Sequence, residues 1–406
     1  MNLTMRPDLI GYSLAAVCLA AASSCSSVAE TPALPSVQVP AFPIALDGQV
    51  GEDFTVDVPV TGRYRLLLDL EASGPGTFWV EDYIGNPDGR TYDITGPLAV
   101  EEAGKRKFVV DGSPLQAGEH RMRMHGSGVA EAKSLKLELL REHQVTPLIL
   151  EQSMAGDDPW EVVWADEFNG TGLPDQDKWT HDLGDWGWGN REPQYYTDGD
   201  SKNARQEDGV LIIEARPGDA ARPWTSARLT TRGKVSFLYG RIEIRAKVPS
   251  MDGTWAAGWT LGDDYRDEVS WPYCGEIDIM EAVGHEIDDE SGDGINHGSC
   301  HTRAFYFKQG NHISETIPVK SMQEDFHVYA CEWDADQVRL YLDGVHYYTY
   351  DQKATPEAWP FDRAQNLILN LAMGGGMGGE IDPAASAEGA PPQRVIVDYI
   401  RVLDRK

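Results

Sequence analysis

Three carboxylates stand close together in the segment CGEIDIMEAVG, residues 274–284. Glu276 and Asp278 are two residues apart, and Glu281 follows three residues later, with apolar side chains between them. In a regular strand alternate side chains share a face, so Glu276 and Asp278 would point together and Glu281 away from them. A one-residue β-bulge at Ile279 or Met280 would bring all three acids to one face. The spacing therefore predicts a bulged strand with three carboxylates on its polar face.

Three kinds of site use such a cluster. Crowded carboxylates cannot all ionise readily, so the pKa of at least one should rise. Retaining glycosidases exploit this difference, with one carboxyl as nucleophile and another, about 5 to 5.5 Å away, as acid. A calcium cage is the second use, although a strand lacks the loop carbonyls that such a cage needs. A solvated charged face is the third. The residues favour the glycosidase and leave the other two open.

The strands that must position these acids are predicted from local patterns. Short alternating runs and turn signals over 44–142 predict a small β-sandwich, and 143–158 is interpreted as a linker. Within 159–406, GRIEIRAKVP (240–249) alternates strictly and VRLYLDGVHYYTY is typical of a hairpin. We therefore expect an all-β chain with a second, larger sandwich or barrel.

Composition excludes several classes of partner. Against 35 Lys and Arg there are 65 Asp and Glu, which gives a formal net charge of −30. Such a chain should repel polyanions, so no nucleic-acid partner is expected. Beyond residue 25 only Cys274, Cys300 and Cys331 remain, which is too few for a disulfide framework, although one bridge could form.

The N-terminal segment indicates export. Arg6 precedes the apolar run LIGYSLAAVCLAAA, which is short for a membrane span, and no later stretch reaches about 18 apolar residues. Residues 1–25 are interpreted as a signal peptide of a bacterial protein that is either secreted or a periplasmic or outer-membrane lipoprotein. Cys25 is the candidate lipid anchor, and an unmodified or discarded cysteine is the alternative. The Ser/Pro-rich segment 26–43 is predicted to be an extended tether.

Several segments together resemble glycoside hydrolase family 16, in its laminarinase-like branch. They include GEIDIMEAVG, WGWGNREPQYYTD (186–198), GTWAAGWTLG (253–262) and NLAMGGGMGG (370–379), in the order in which the family carries them. The resemblance implies a β-jelly-roll whose concave face binds a β-glycan, with no cofactor for catalysis. It implies that Glu276 is the nucleophile, Glu281 the acid/base, and Asp278 the residue that orients and tunes the nucleophile. Matching substrate-binding positions are Asn190, Arg228, Trp255, Trp259, Trp271 and His301, and a candidate structural calcium site matches at Glu167, Gly209 and Asp398.

The expected activity is retaining hydrolysis of internal β-linkages, with a β-1,3- or mixed β-1,3/1,4-glucan as the favoured polysaccharide. The alternatives are a galactan hydrolase of the agarase or porphyranase type and a non-catalytic glycan-binding protein. The first sandwich weakly resembles carbohydrate-binding modules, with Trp79, Tyr83 and Tyr92 as candidate stacking groups. A spacer without sugar affinity is the other interpretation of that region.

Overall fold

A computed structural model describes residues 35–48, 50–154, 156–157, 159–219, 221–386 and 389–405. The predicted signal peptide, Cys25 and the first part of the predicted tether lie outside these residues. The first ten strands are β1 (Ser36–Gln38), β2 (Ile44–Asp47), β3 (Val50–Val58), β4 (Gly62–Ala72), β5 (Gly76–Asp82), β6 (Tyr92–Asp93), β7 (Leu98–Val100), β8 (Gly104–Leu115), β9 (Gly118–Gly126) and β10 (Val129–Glu142).

These ten strands form two five-stranded sheets, which we call the N-terminal sandwich. One sheet has the order β1-β10-β4-β8 with β2 also on β10, and the other has the order β3-β9-β5-β6 with β7 on β5. Alternate side chains of both sheets meet in one apolar core, as the burial of Leu66, Val80, Met122 and Leu137 shows. The strands between residues 44 and 142 all belong to these two sheets, together with β1.

The tether prediction is wrong for residues 35–43. β1 pairs in antiparallel register with β10, from Ser36 opposite Glu138 to Gln38 opposite Lys136. Val37 and Phe42 pack against the core of the N-terminal sandwich. Backbone pairing and apolar burial hold this segment to the sheet, and a Ser/Pro-rich composition does not reveal either interaction.

The remaining strands are β11 (Leu148–Glu151), β12 (Glu161–Asp166), β13 (Thr180–Asp182), β14 (Gln194–Tyr196), β15 (Ala204–Glu207), β16 (Val210–Pro217), β17 (Trp224–Ser226), β18 (Arg228–Thr230), β19 (Val235–Leu238), β20 (Gly240–Lys247), β21 (Thr254–Gly262), β22 (Glu276–Val283), β23 (Gly294–His301), β24 (Ile313–Val319), β25 (His327–Trp333), β26 (Val338–Leu342), β27 (Val345–Tyr350), β28 (Gln365–Met373) and β29 (Gln393–Asp404). Helical structure is confined to α1 (Gly375–Gly378) and three 3-10 turns among the described residues, at Gly284–Glu286, Phe307–Gln309 and Pro383–Ser386.

Two large sheets pack together in this second region, which we call the C-terminal sandwich. The nine-stranded sheet has the order β11-β19-β28-β21-β22-β23-β24, with β18 on β28 and β13 on β18. The ten-stranded sheet has the order β14-β17-β16-β29-β20-β25-β26-β27, with β12 and β15 attached. Ile242 and Ile244 of β20 and Ile277 and Ile279 of β22 lie in the core between the sheets. The prediction of an all-β chain is confirmed.

The linker prediction is wrong for residues 148–151, because β11 pairs in parallel with β19 and extends the nine-stranded sheet. The two sandwiches also share a core, since Trp186, Trp188 and Tyr196 of the second region pack within the apolar core of the first. The described residues from 35 onward accordingly form one compact unit. The N-terminal sandwich is therefore packed against the C-terminal sandwich and is not joined to it only by a flexible linker.

Two further findings concern membrane-spanning helices and disulfide bonds. Among the residues with described positions, no helix has the length and apolarity needed to cross a membrane. Cys274, Cys300 and Cys331 are all buried free thiols, so none of the three forms the disulfide that the sequence left open.

Candidate active site

The three acids lie on β22, and the strand carries the predicted bulge. Against β21, Met280 is opposite Gly258 and Asp278 is opposite Trp259, which leaves Ile279 as the extra residue. The same shift appears against β23, between Asp278 and Glu281. Ile279 and Met280 are both fully buried in the core. The bulge therefore turns two successive apolar side chains inward and returns Glu281 to the face of Glu276 and Asp278.

Asn296 of β23 holds the bulge in place. Its side-chain oxygen accepts a hydrogen bond from the Glu281 backbone N–H (3.1 Å), and its amide donates to the Ile279 carbonyl (3.3 Å). The same amide donates to the Tyr347 hydroxyl (3.0 Å). An unpaired residue in a bulge leaves backbone groups without ladder partners. Asn296, which is fully buried, supplies those partners.

A cleft of about 500 Å³ runs over this face of the nine-stranded sheet. All nine residues predicted for catalysis or substrate binding line it, namely Glu276, Asp278, Glu281, Asn190, Arg228, Trp255, Trp259, Trp271 and His301. On β21, Trp255 and Trp259 face the cleft with Ala257 between them, while Ala256 points into the core. Strand alternation thus gathers carboxylates and indoles, which are far apart in the sequence, on one surface.

Glu276 has several donors and cations around its carboxylate. The Trp271 indole N–H donates to Glu276 Oε2 (2.9 Å), and His301 Nε2 lies 3.7 Å from Oε1. Burial and then the charge of Asp278 raise the pKa of Glu276, while His301, Trp271 and Arg228 act in the opposite direction. These three groups limit the rise in the pKa of Glu276, to about 8, and so act toward the ionised form that a nucleophile needs.

Glu281 has a different environment. The Trp255 indole N–H donates to Glu281 Oε1 (3.0 Å), and among the described side chains no cation forms an ion pair with this carboxyl. Burial, and then the charges of Asp278 and Glu276, raise the pKa of Glu281 well above its ordinary value. The protonated form is therefore favoured at Glu281, which suits a general acid.

Asp278 lies between the two glutamates on β22, and its carboxylate is contacted by two side chains of β23. Ser299, its cross-strand neighbour, donates its hydroxyl to Asp278 Oδ2, and His301 Nε2 lies 3.3 Å from the same oxygen. Burial acts to lower the pKa of His301, but the hydrogen bond that His301 donates to Asp278, and then the charges of Glu276 and Asp278, outweigh it and raise that pKa. The raised pKa favours the protonated form of His301, whose ring stacks on His312 with centroids 4.2 Å apart.

The other side of the cleft is held by polar and aromatic pairs. The Arg228 guanidinium lies between the rings of Trp188 and Trp259, at 4.8 and 4.7 Å from their centroids, and its Nε donates to Asp182 (3.2 Å). The Trp259 indole N–H donates to Asn370 (2.8 Å). These contacts fix the orientation of the Arg228 guanidinium and the Trp259 indole, which a sugar ring in the cleft would contact.

Sequence reasoning missed several residues of the site, chiefly Glu192, Glu268, Asn296, Phe307, Lys308 and Asn370. All except Asn296 line the cleft, and Phe307 is 48% exposed there. Asn296 carried a usable signal, because asparagine is depleted in strands and a buried one needs partners. Phe307 lies in a short 3-10 turn after β23. Such a turn has no alternation of polar and apolar residues from which the direction of its side chain could be predicted.

The structure does not form the predicted calcium site from Glu167, Gly209 and Asp398. The Glu167 carboxylate accepts two hydrogen bonds from Arg401, at 2.7 and 2.9 Å, and Asp398 pairs with Arg245. Oxygen ligands for calcium must be free of such counter-charges, so these residues do not fit a cation as they are arranged. Among the described side chains, the group with metal-ligand spacing is Glu276, Asp278 and His301, whose donor atoms lie within 4.8 Å of one another and form the ion pairs given above.

Two packed β-sheets with paired carboxylates in an indole-lined cleft define a glycosidase-type site. A family model described as glycosyl hydrolases family 16 matches residues 191–401. A β-glucanase of Rhodothermus marinus is 44% identical over 284 residues, covering 66% of this chain and 96% of that protein. A glucan endo-1,3-β-glucosidase of Cryptopygus antarcticus is 34% identical over 269 residues, covering 63% of this chain and 96% of that protein.

Solved structures agree with the sequence relatives. The laminarinase of Rhodothermus marinus superposes with a TM-score of 0.55 at 44% identity, covering 61% of this chain and 98% of that one. The chain therefore belongs to glycoside hydrolase family 16, as its motifs indicated. The family match begins at residue 191 and so does not include the N-terminal sandwich.

Proposed function

We propose that this protein is a retaining endo-β-glucanase that cleaves internal linkages of a β-1,3- or mixed β-1,3/1,4-glucan. The observation that carries the proposal is the unequal environment of two carboxyls on one bulged strand. Glu276 has an indole N–H and the His301 imidazole (3.7 Å) beside it, whereas Glu281 has an indole N–H alone. A glycosidase requires this division between nucleophile and acid.

The reaction follows from these environments. A Glu276 oxygen attacks the anomeric carbon while the bond from that carbon to the leaving-group oxygen breaks, and Glu281 transfers its proton to that oxygen. The resulting glycosyl ester is then attacked by water, from which Glu281, now ionised, removes a proton. The second displacement restores the β configuration and releases Glu276. Asp278 and His301 hold the nucleophile in place through both steps.

Support for a β-glucan comes from the cleft and from the relatives. Trp255 and Trp259 offer indole surface suited to the apolar faces of glucose rings. The two relatives described above are a β-glucanase and an endo-1,3-β-glucosidase.

The test is release of reducing ends from laminarin, lichenan and agarose, with ¹H NMR of the first product. Cleavage of either glucan with the β-anomer formed first is expected. Cleavage of agarose alone would indicate a galactan hydrolase, binding without cleavage a glycan-binding protein, and an α-anomer first an inverting mechanism.

We also propose that the chain is exported, on the basis of Arg6 and the apolar run that follows it. Expression in a bacterium and mass spectrometry of the mature protein test this. An N-terminus at Cys25 carrying acyl chains, lost in Cys25→Ser, would establish a lipoprotein. An intact Met1 would contradict export.

A further inference from the structure

A second, smaller cavity lies where the two sandwiches meet, apart from the catalytic cleft. Its volume is about 40 Å³, and both regions of the chain contribute to its wall. Arg63 and Arg141 come from the N-terminal sandwich, His143 from the segment that follows it, and Arg232 and Arg266 from the C-terminal sandwich. Four arginines around one small cavity are unexpected in a chain with a net charge of −30.

Arg232 is the residue that most needs a partner. It is only 8% exposed, and its Nε and Nη2 atoms find no hydrogen-bond acceptor among the described residues. His143 Nε2, on the same wall, is also without a partner there. Asp182 acts on Arg232 through its charge and the Tyr265 ring centroid lies 5.0 Å from the guanidinium carbon, but neither accepts a hydrogen bond from it. A buried guanidinium with unsatisfied donors is strongly destabilising unless something enters the cavity to satisfy them.

Arg141 pairs with Asp198 (2.6 Å), but no carboxylate forms an ion pair with Arg232 or Arg266 among the described residues. Asp182 is the buried acid of the wall, and it is already shared by Arg63 (3.3 Å) and Arg228 (3.2 Å). Arg266 donates only to the backbone carbonyls of Asp263 and Tyr265. Burial, and then the charges of Arg266, Arg232 and Arg63, lower the pKa of His143 to about 3, against the opposite effect of Asp182. The cavity is therefore a region of positive potential.

We propose that this cavity binds one small inorganic oxyanion, such as sulfate or phosphate, which joins the two sandwiches. One water needs about 10 to 15 Å³ of such volume, so this cavity has room for roughly three waters or one tetrahedral oxyanion. Guanidinium groups bind such oxyanions through paired N–H donors, and Arg232 has two donors available. Neutral His143 can supply a further contact. Glu142 and Gln144, which are exposed on the wall, mark the side from which an ion would enter.

The test compares the full chain with Arg232→Met in a low-salt buffer to which sodium sulfate is added. Sulfate stabilises most proteins in a non-saturating way, so the difference between the two proteins is the measurement. The parent should show a saturating rise in Tm of about 5 °C that the variant lacks. Without sulfate, Arg232→Met should be as stable as the parent or more so, because it removes an unpaired buried charge. Arg363→Met, which removes an exposed arginine paired with Asp264, should keep the sulfate response of the parent.

Anomalous diffraction from parent crystals grown with selenate locates the ion even if Arg232→Met does not fold. A selenium peak beside Arg232 is expected. Equal sulfate responses in parent and variant, or a cavity without a selenium peak, would overturn the proposal. Neither measurement depends on enzymatic activity, so a failure here would be independent of the proposed glucanase function.

Discussion

The two sandwiches are built alike but use their polar surfaces for different purposes. Both alternate apolar residues inward around a buried apolar core. In the C-terminal sandwich the outward residues of β21 and β22 remain available in the cleft. In the N-terminal sandwich, Tyr83 donates to Asp267 and Arg90 donates to the carbonyls of Trp271 and Val269. Polar and aromatic residues of this first region therefore contact the loop that carries Trp271, which itself donates to Glu276.

The N-terminal sandwich shows how outward-facing aromatic residues can be misinterpreted as a sugar-binding surface. Tyr83 and Tyr92 were candidate sugar-stacking groups, yet Tyr92 is only 6% exposed and has the cations of Arg90 and Lys308 near its ring. An alternating strand shows which side chains point outward, but not whether they meet solvent, a ligand or another part of the chain. Only the tertiary arrangement separates these cases.

The largest expected effect distinguishes the two catalytic carboxyls of the C-terminal sandwich from a buried carboxylate of the N-terminal sandwich. Glu276→Ala and Glu281→Ala should each lower kcat by on the order of 10³-fold or more without loss of folding. Asp82→Asn, which alters a buried carboxylate paired with His120 in the N-terminal sandwich, should lower Tm but leave kcat of the folded protein unchanged. Rate measurements and thermal unfolding of all three variants check this.

Azide and an activated aryl glycoside then assign the two roles. Glu281→Ala should still form the glycosyl ester and give a β-azide, because a good leaving group needs little protonation. Glu276→Ala should give the α-azide by direct attack. An α-azide from Glu281→Ala and a β-azide from Glu276→Ala would reverse the assignment of the two roles. Full activity in both variants would show that neither carboxyl is catalytic.

The next effect tests whether the N-terminal sandwich supports the active site. Arg90→Ala removes two donors to the loop that carries Trp271 (2.7 and 3.3 Å), so kcat should fall roughly tenfold through displacement of the nucleophile. Arg123→Ala, which removes a pair with Asp53 on the same sandwich, is the matched control and should retain the parent kcat. If both variants kept the parent kcat, the first sandwich would have no part in positioning Trp271.

A smaller effect is expected from the bulge. Asn296→Val removes the hydrogen bonds to the Glu281 N–H and the Ile279 carbonyl, so the Glu281 side chain should be misplaced and kcat/KM on laminarin should fall by less than about tenfold. The loss should be less on an activated aryl glycoside, which needs little acid catalysis. Asn366→Val removes an equally buried asparagine of the same sheet outside the cleft and should destabilise without this dependence on leaving group. Equal losses on both substrates would contradict the role of Asn296.

The parts of the molecule that could be predicted are those encoded locally. The bulge follows from the interval between Asp278 and Glu281, and β20 follows from strict alternation, because each depends on a few consecutive residues. The pairing of β1 with β10 and of β11 with β19 joins segments about 85 to 100 residues apart, and no local pattern encodes the partner. Asparagine in a strand marks Asn296 as unusual, but its hydrogen-bond partners lie on β22 and β27, so the sequence does not show that it holds the bulge.

A modest shift in pH dependence should follow from the indole bonded to Glu281. The Trp255 N–H stabilises the carboxylate and so lowers the pKa of Glu281 against the raising effect of burial. Trp255→Phe removes that donor, so the pKa should rise and the alkaline limb of kcat/KM, where the acid deprotonates, should move upward by about one unit or less. Trp259→Phe loses a donor to Asn370 instead and should leave the limb in place. A downward shift in Trp255→Phe would show that Glu281 is not the group that titrates.

The smallest effect concerns Trp79, the remaining candidate for sugar binding in the N-terminal sandwich. Its ring is stacked on His125 with centroids 4.9 Å apart, and its N–H donates to Glu81 (3.3 Å), so one face and the polar edge are already occupied. Calorimetry with laminarin, in a Glu276→Ala background that prevents cleavage, should give affinities within about twofold with and without Trp79→Ala. Trp259→Ala in the same background should weaken binding about tenfold, since a stacking indole contributes roughly 0.5 to 1.5 kcal/mol beyond its buried area. A tenfold loss from Trp79→Ala would instead make the first sandwich a carbohydrate-binding module and end the contrast between the two regions.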